Sequence, residues 1–384
     1  VYATWLDDPT STVVIRWNSL EGDTELRYKK EGEEAWKSVL AENETLFPEK
    51  IILHNVQLTH LEPSTTYLFK IGNDQNTYTC KTLSKELTTL RFVVGGDVYR
   101  SMSLVEDMHI EVAHLNPEFV VIGGDIAYTR FSKLAIKDKK KEADRWSTFF
   151  KVWGKYMIKS DGSLIPLMAT LGNHDISSSQ DTYFSKFFRN EKTPSYQALT
   201  IGKYLSIFLL DSGHRESIDG KQWMWLKKNL KERASIPNKI AVYHVSAYPS
   251  VYKYNGGTAK KIRRFWCPLF EEYGVQVAFE NHNHAYKRTF RIKQEKIDPS
   301  GVLYLGDGAW GVPVRSPQKP KDLWYLEKSS AINSVFLVSL DEQGYKIDAI
   351  DIDGDVFDQV AIPTEKLRSS KSVAQFLKEA ILGH

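Results

Sequence analysis

The chain has 384 residues, of which 42% are hydrophobic and 26% are charged, with a formal net charge of +3. This composition excludes a disordered, collagen-like or disulfide-scaffold protein, and no apolar run approaches the roughly 18 residues that a membrane helix needs. The small positive excess does not indicate a DNA-binding surface, and at about 150 residues per domain the length suggests two or three domains.

The first 84 or so residues are predicted to be all-β. Apolar side chains alternate with polar ones in residues 13–17 and again in 25–29, which is typical of half-buried strands. Tyr67 follows a turn at Pro63 and suits a tyrosine corner, in which the hydroxyl bonds back to the turn backbone; an ordinary buried aromatic is the alternative. Several short strands with turns between them predict a β-sandwich over residues 1–84.

A different pattern begins at about residue 85. An apolar run, 90–94, ends in Gly-Gly-Asp97; a helical stretch, 104–115, follows; and a second apolar run, 119–122, ends in Gly-Gly-Asp125. This order of run, helix and run predicts a βαβ unit with parallel strands. Both aspartates then lie at the carboxyl ends of neighbouring strands, where α/β sheets place their ligands.

Further elements are predicted along the rest of the chain. Short stretches rich in apolar residues indicate strands, and apolar residues at helical spacing indicate helices. The predicted strands are 164–171, 204–210, 240–244, 275–280, 302–305, 334–340 and 345–352, and the predicted helices are 144–157 and 220–230. The last stretch, 365–384, is amphipathic and is predicted to form a terminal helix after a second domain that spans residues 85–364.

Three further features carry less information. Cys80 and Cys267 lie far apart in sequence and form no metal knuckle, and two buried free thiols are favoured over a disulfide. The acidic stretch 348–355 lacks the carboxylates that a calcium loop needs at its first and twelfth positions, which favours a solvated hairpin. The basic run 137–141 either steers an anionic substrate or is a solvated loop.

Polar residues follow the apolar strands at five places. Those that could bind a metal are Asp97, Asp125, Tyr128, Asn173, His244, His282 and His284. Carboxylate, imidazole, amide and phenolate groups suit first-row metals rather than a soft thiolate site. Seven ligands are too many for one ion but fit two ions that share a bridging carboxylate. Two metals about 3.5–4 Å apart form a clamp for displacement at phosphorus.

The order of these motifs carries a resemblance to a known family. Gly-Asp, Gly-Asp-x-x-Tyr, Gly-Asn-His-Asp, a strand ending in His and His-x-His together resemble the calcineurin-like metallophosphoesterase superfamily. Tyr128, three residues after Asp125, narrows the resemblance to the purple acid phosphatase branch. Asp8-Pro9 and the segment Leu61-x-Pro63-x-Thr65-x-Tyr67 resemble the fibronectin-type-III-like N-terminal domain of the plant-type enzymes. The resemblance reaches about residue 362 and implies a catalytic α/β domain of two mixed sheets, packed as a sandwich and flanked by helices.

The resemblance also implies a role for each site residue. Asp97, Asp125, Tyr128 and His284 would hold the first metal, and Asp125, Asn173, His244 and His282 the second, with Asp125 as the bridge. The first metal would be Fe(III), which a phenolate ligand colours purple, and the second Fe(II), Zn(II) or Mn(II). His174 would donate to a phosphate oxygen or to the leaving group, and Asp175 would orient it.

The sequence departs from the family close to the site. Asp175 stands where the family often has Glu, and Asn281 stands where it has Gly. The plant-type enzymes carry a further His in the loop after the strand-end His, whereas loop 246–254 has none. The candidates to replace it as substrate ligands are Tyr252, Lys253 and Tyr254, and the alternative is that His174 acts alone.

The favoured function is that of a purple acid phosphatase, in which a binuclear metal centre activates a hydroxide for in-line attack on a phosphomonoester. A phosphodiesterase that acts on nucleotides or lipid headgroups through the same site is the first alternative, and a catalytically inactive binding or adhesion protein is the second. The expected partner is a small phosphate ester, with no evident nucleic-acid-binding surface or transmembrane segment. The resemblance implies a secreted, periplasmic or otherwise extracytoplasmic location.

Overall fold

The computed structural model describes residues 1–19, 24–46, 51–130, 139–176, 183–189, 193–306 and 308–364. The predicted terminal helix 365–384 lies outside the described residues, as does the start of the basic run 137–141. Cys80 and Cys267 are both buried and free, as the sequence favours.

The N-terminal part is made of strands, as predicted. They are β1 (Tyr2–Thr4), β2 (Val13–Ser19), β3 (Glu25–Lys30), β4 (Lys37–Leu40), β5 (Glu42–Leu46), β6 (Ile51–Leu58), β7 (Thr66–Ile71) and β8 (Tyr78–Lys81). Two antiparallel sheets, ordered β1-β2-β6-β5 and β4-β3-β7-β8, share an apolar core to which Ile15 and Phe69 contribute. The Tyr67 hydroxyl accepts the backbone N–H of Glu62 at 2.9 Å, so the predicted tyrosine corner is present.

The remaining elements include both strands and helices. They are β9 (Thr89–Gly95), α1 (Met102–His114), β10 (Phe119–Ile122), α2 (Lys139–Tyr156), β11 (Leu167–Ala169), α3 (Tyr183–Phe188), β12 (Gln197–Ile201), β13 (Leu205–Leu209), α4 (Lys221–Glu232), β14 (Asn238–Val245), α5 (Gly257–Phe265), α6 (Cys267–Tyr273), β15 (Val277–Asn281), β16 (Tyr286–Thr289), β17 (Ile292–Lys293), β18 (Lys296–Ile297), β19 (Leu303–Gly306), β20 (Leu326–Ser330), β21 (Ser334–Asp341), β22 (Gly344–Asp351) and β23 (Val356–Pro363), with a 3₁₀ turn at Pro320–Asp322.

Two mixed sheets carry these strands. The six-stranded sheet has the order β11-β10-β9-β21-β22-β23, and its strands β9, β10 and β11 are parallel. The seven-stranded sheet has the order β12-β13-β14-β15-β19-β16-β20, and β13, β14, β15 and β19 are parallel. The acidic stretch 348–355 joins β22 to β23 as an antiparallel hairpin, as the sequence favours.

The two sheets pack face to face, with helices on their outer sides. One apolar cluster joins Val94 of β9 to Val242 of β14 and Phe279 of β15, so the inner faces of both sheets form one layer. Helices α1 and α2 cover the outer face of the six-stranded sheet, and α4, α5 and α6 cover that of the seven-stranded sheet. The predicted sandwich of mixed sheets flanked by helices is therefore confirmed.

Candidate metal centre

The predicted metal ligands lie at the carboxyl ends of strands in the two facing sheets. On the six-stranded side the ligands follow β9, β10 and β11, and on the seven-stranded side they lie at the ends of β14 and β15. The first group is Asp97, Asp125, Tyr128 and Asn173, and the second is His244, His282 and His284. Because parallel strands end at one edge of each sheet, the fold brings the two groups together across the apolar layer.

Five of these seven residues have a left-handed backbone conformation. The angle φ is 59° at Asp97, 53° at Asp125, 51° at Tyr128, 79° at His282 and 58° at His284. Ten non-glycine residues in the described part of the chain have positive φ, so half of them are predicted ligands. Such a conformation costs on the order of 1–3 kcal/mol and persists where the surroundings impose it, often at functional sites.

A first cluster joins Asp97, Tyr128 and His284. The Tyr128 hydroxyl lies 3.1 Å from Asp97 Oδ1 and 2.8 Å from His284 Nε2, and His284 Nε2 lies 3.0 Å from Asp97 Oδ1. Burial raises the pKa of Tyr128 well above its ordinary value, and the carboxylates of Asp97 and Asp125 raise it further. A cation beside this phenol is therefore needed to ionise it near neutral pH.

A second cluster joins Asp125, Asn173, His244 and His282. One possible ligand atom from each of Asp125, His244 and His282 lies within 4.8 Å of the other two. His244 Nε2 is 3.3 Å from Asp125 Oδ2, 3.0 Å from Asn173 Oδ1 and 3.2 Å from His282 Nδ1. His244 Nδ1 lies 3.0 Å from the Gly123 carbonyl and donates to it, which leaves Nε2 of the neutral ring as the metal-binding nitrogen.

Asp125 has the environment expected of a metal-bridging carboxylate. Its Oδ1 accepts the backbone N–H of His174 at 2.7 Å, whereas its buried Oδ2 accepts no hydrogen bond in the described structure. A buried carboxylate oxygen needs a positive partner; protonated His244, with Nε2 3.3 Å away, is one, and a bound metal ion would be a stronger one. Asp125 also acts electrostatically on Tyr128 in the first cluster and on His244 in the second. The residues present therefore fit two metal ions.

Charges in the second cluster compensate one another. Burial by itself would raise the pKa of Asp125, but His244, His174 and His282 outweigh it and hold that pKa below its ordinary value. Burial disfavours charged His244, yet Asp125 and Asp97 raise its pKa to about 9. Burial and then the charge of His244 lower the pKa of His282 to about 3. Without a cation the cluster thus keeps a proton on His244, which a metal ion would displace.

His174 stands beside both clusters, but Asp175 does not orient its ring. The His174 ring stacks on the Tyr128 ring with centroids 4.6 Å apart, and its Nε2 is 3.9 Å from Asp125 Oδ2. Its Nδ1 bonds the backbone carbonyl of Arg130. The predicted contact between Asp175 and the imidazole is therefore wrong, because a backbone carbonyl takes the place of the carboxylate.

The buried Asp175 carboxylate instead accepts backbone N–H groups. Its Oδ1 accepts from Ile126 at 2.8 Å and Ala127 at 3.3 Å, and its Oδ2 accepts from Gly172 at 3.1 Å. Burial and then the nearby charge of Asp125 raise the pKa of Asp175 to about 8. The carboxyl group joins the loop after β10 to the loop after β11, and both loops carry predicted ligands.

Two glycines provide the space that this packing needs. A Cβ at Gly172 would lie 2.0 Å from the backbone nitrogen of Asp125, and a Cβ at Gly123 would lie 1.8 Å from Nδ2 of Asn281. Asn281 Nδ2 donates to the Tyr243 carbonyl at 2.9 Å. Asn281, which stands where the family has Gly, therefore packs directly on a glycine of the facing sheet.

The three candidates of loop 246–254 occupy different environments. The Tyr252 ring lies 5.0 Å from the His282 ring, and its backbone N–H donates to Oδ1 of Asn283 at 3.0 Å. The Tyr254 hydroxyl donates to a glutamate outside the two clusters. Lys253 is exposed, and its side chain makes no hydrogen bond or ion pair with the described residues. The structure thus brings Tyr252 beside the clusters and not the other two.

Two residues near the site lie outside the predicted set. The His214 ring, in the loop after β13, is 5.5 Å from the His244 ring. Arg315 donates through Nη1 to the Tyr252 hydroxyl at 2.6 Å and to the His282 carbonyl at 3.2 Å. His214 follows a predicted strand, so the strand-end pattern could have indicated it. Arg315 stands at no predicted strand end, and no signal in the sequence indicates it.

Comparison with known families agrees with this geometry. The model of the calcineurin-like phosphoesterases matches residues 90–286, just over half of the chain. The chain therefore belongs to the calcineurin-like phosphoesterase family. The model of the purple acid phosphatase N-terminal domain matches residues 1–88, so the chain is a purple acid phosphatase-like member of that family. The predicted boundaries at residues 84 and 364 stay predictions.

Curated and solved relatives include purple acid phosphatases of plants. Purple acid phosphatase 15 of Arabidopsis thaliana is 26% identical over 67% of this chain and 53% of its own length. Purple acid phosphatase 23 of the same plant is 24% identical over 78% of this chain and 72% of its own length. The solved purple acid phosphatase PPD1 from yellow lupin (Lupinus luteus) seeds aligns with 94% of this chain and 74% of its own, with a TM-score of 0.77 and 15% identity. The chain thus spans between half and three quarters of these relatives.

No helix among the described residues is long and apolar enough to cross a membrane.

Proposed function

We propose that this protein hydrolyses phosphomonoesters with two metal ions held between the two clusters. The observation that carries the proposal is the buried Oδ2 of Asp125, which accepts no hydrogen bond from the described residues and lies 3.3 Å from His244 Nε2. Family membership and the plant purple acid phosphatases among the relatives support it. The substrate is a small phosphate ester.

The protein residues divide the work of the site. Bound metal ions would lower the pKa of a water held between them and neutralise charge on the phosphoryl oxygens. Asp97, Tyr128 and His284 would hold one ion, and Asn173, His244 and His282 the other, with Asp125 shared. Tyr128 suits Fe(III), because a trivalent ion best offsets the burial that disfavours the phenolate; Fe(II), Zn(II) or Mn(II) is proposed for the second position.

His174 is the proposed proton donor. Its side chain is about a quarter exposed, so a substrate can reach it, and its Nδ1 is occupied by the Arg130 carbonyl. The other nitrogen, Nε2, is then free to donate to a phosphoryl oxygen or to the departing oxygen when the ring is protonated. Asp175 contributes by holding the loops that carry the ligands rather than by touching this ring.

Substitution of Asp125 tests the proposal. The purified protein is expected to contain two metal ions per chain and to hydrolyse p-nitrophenyl phosphate. Asp125→Asn removes the shared negative charge, so we expect loss of at least one metal ion and a fall in kcat of at least about a hundredfold. Even substitutions of residues that only hydrogen-bond to metal ligands cost about 10–100-fold in metal affinity or activity. Asp353→Asn, on an exposed turn, is the matched control. Full activity in Asp125→Asn would refute the bridging role.

The same assay separates the alternatives. A phosphodiesterase would prefer bis(p-nitrophenyl) phosphate, and an inactive binding protein would hydrolyse neither ester while keeping its fold. The presence of all seven candidate ligands supports the enzyme, because clustered carboxylates without a cation repel one another. A secreted or otherwise extracytoplasmic location is also proposed, by analogy with the family.

A further inference from the structure

We infer that Arg315 anchors the phosphoryl oxygen that distinguishes a phosphomonoester from a diester. The inference rests on the proposed function and concerns a residue outside the predicted ligand set. Arg315 lies in the segment between β19 and β20, next to the His-x-His motif of the second sheet.

Three hydrogen bonds fix Arg315 against the two histidines. Its backbone N–H donates to the carbonyl of His284 at 2.8 Å, and its Nη1 donates to the carbonyl of His282 at 3.2 Å. Nη1 also donates to the Tyr252 hydroxyl at 2.6 Å. The guanidinium is thus held in a fixed position relative to two candidate metal ligands, which lowers the entropic cost of using it to bind a substrate.

The charge of Arg315 is not neutralised by a carboxylate of the described residues. No carboxylate oxygen among the described residues lies within 4.0 Å of its guanidinium, although the side chain is half-buried. Arg288, by comparison, lies 3.2 Å from Asp358 and 3.3 Å from Glu327. A guanidinium has five N–H groups, and the described hydrogen bonds of Arg315 involve Nη1 alone, so Nε and Nη2 keep their donors.

Tyr252 is held in place beside this guanidinium. Asn283, between the two histidines, accepts the backbone N–H of Val251 and of Tyr252, each at 3.0 Å. The Tyr252 ring then lies 5.0 Å from the His282 ring and 5.4 Å from the guanidinium carbon. Tyr252 and Arg315 therefore contact each other on the histidine side of the site, and Tyr252 lies in the loop where the plant-type enzymes have a further His.

The free donors of Arg315 suit a phosphate dianion. A monoester has three non-bridging oxygens and carries up to two negative charges, whereas a diester has two such oxygens and a single charge. If two oxygens face the metal pair, the third oxygen of a monoester is left for a protein donor. A guanidinium binds phosphoryl oxygens through strong charge-assisted hydrogen bonds and can do so through two parallel N–H groups.

Three variants of Arg315 and two esters test the inference. Arg315→Met removes the charge, Arg315→Gln removes the charge but keeps N–H donors, and Arg315→Lys keeps the charge without the planar fork. We expect Arg315→Met and Arg315→Gln to lower kcat/KM for p-nitrophenyl phosphate about ten- to hundredfold, mainly through KM. The same variants should change kcat/KM for bis(p-nitrophenyl) phosphate less than threefold. Arg315→Lys should be intermediate. Lys319→Met, an exposed cation four residues away, is the matched control.

A second readout does not depend on turnover. Inorganic phosphate should raise the Tm of the metal-loaded protein, and Arg315→Met should need about tenfold more phosphate for the same rise while keeping the same metal content. Equal losses on both esters, or a loss of metal in every variant, would show that Arg315 only braces the histidines. If the unaltered protein hydrolyses neither ester, the proposed function fails, and the phosphate titration still decides whether Arg315 binds the anion.

Discussion

Asp125 and Asp175 lie fifty residues apart in sequence and take opposite roles because their neighbours differ. Asp125 faces three imidazoles, which keep its pKa low and its carboxylate charged. Asp175 faces backbone N–H groups and the charge of Asp125, and burial is the main reason why its pKa rises to about 8. The sequence predicts both as site residues, but the direction of each carboxylate depends on loop backbones that no residue pattern encodes.

Tyr128 gives a spectroscopic prediction at the scale of one residue. If Fe(III) occupies the first cluster, the protein should show a visible absorption band from its phenolate ligand. Tyr128→Phe removes the oxygen that lies 2.8 Å from His284 Nε2, so the band should vanish. Tyr204→Phe, whose hydroxyl bonds the Ser84 carbonyl, is the control and should keep the band. A coloured Tyr128→Phe protein would contradict the assignment.

Helix α1 packs a histidine, His109, into its buried face beside Val105, Met108 and Val112. The His109 ring lies 5.5 Å from the rings of both Trp153 and Trp310, and its Nδ1 accepts the indole N–H of Trp310 at 3.2 Å. Burial lowers the pKa of His109 to about 3. At the scale of the element, the helix is thus anchored by a neutral imidazole that the metal site does not use.

His109 should make the fold sensitive to acid. The pKa of His109 in the folded state is below its unfolded value of about 6.5. Between these two pKa values the unfolded chain therefore binds a proton at this residue and the folded chain does not. This group's stabilisation is therefore complete above about pH 6.5 and falls by about 1.4 kcal/mol per pH unit as the pH drops towards about 3. His109→Gln keeps an acceptor for Trp310 and cannot titrate.

Urea unfolding at pH 7.5 and pH 5 measures this dependence. Between these pH values the unaltered protein should lose about 2 kcal/mol more unfolding free energy than His109→Gln. His60→Gln, on the exposed surface of the N-terminal sandwich, should behave as the unaltered protein does. Identical losses in the unaltered protein and His109→Gln would mean that His109 takes up a proton without unfolding.

Element prediction succeeds where one physical signal dominates. The runs at 334–340 and 345–352 match β21 (Ser334–Asp341) and β22 (Gly344–Asp351) within one residue. Residues 335–338 form a continuous apolar run, whereas residues 345–349 alternate apolar and polar side chains, and both patterns are typical of strands. Helices α5 and α6 are not predicted, since the short segment from residue 257 to 273 mixes apolar and charged residues and is shaped by packing on the sheet. Short edge strands such as β4 and β8 are missed for the same reason.

The site as a whole is more predictable than its surroundings. Ligands at strand ends are predictable because the topology of parallel strands fixes where those ends meet. Arg315 and the N–H partners of Asp175 are not, because they come from segments far away in sequence whose approach is set by tertiary packing. At the scale of the molecule, the sequence pattern predicts which residues could bind metal, whereas tertiary packing decides which other residues contact those ligands.

Removal of metal should destabilise the whole protein. The clusters exist only in the folded chain, so a metal ion at a hundredfold excess over its Kd contributes about 2.7 kcal/mol. Chelation should therefore lower the Tm by several degrees, and added metal should restore it. Asp125→Asn should respond much less, while Asp353→Asn should respond fully. An unchanged Tm after complete loss of metal would show that the ligands stay assembled without it.

The placement of the ligands on two separate sheets has a mechanical consequence. Asp125 faces His244, and Asp97 faces His284, across the layer in which Phe279 of one sheet lies 5.6 Å from Phe336 of the other. The thickness of that apolar layer therefore sets the distance between the ligands of one sheet and the ligands of the other. Residues that touch neither metal nor substrate can tune the chemistry by widening or narrowing the gap, which gives evolution a way to adjust the centre without altering a single ligand.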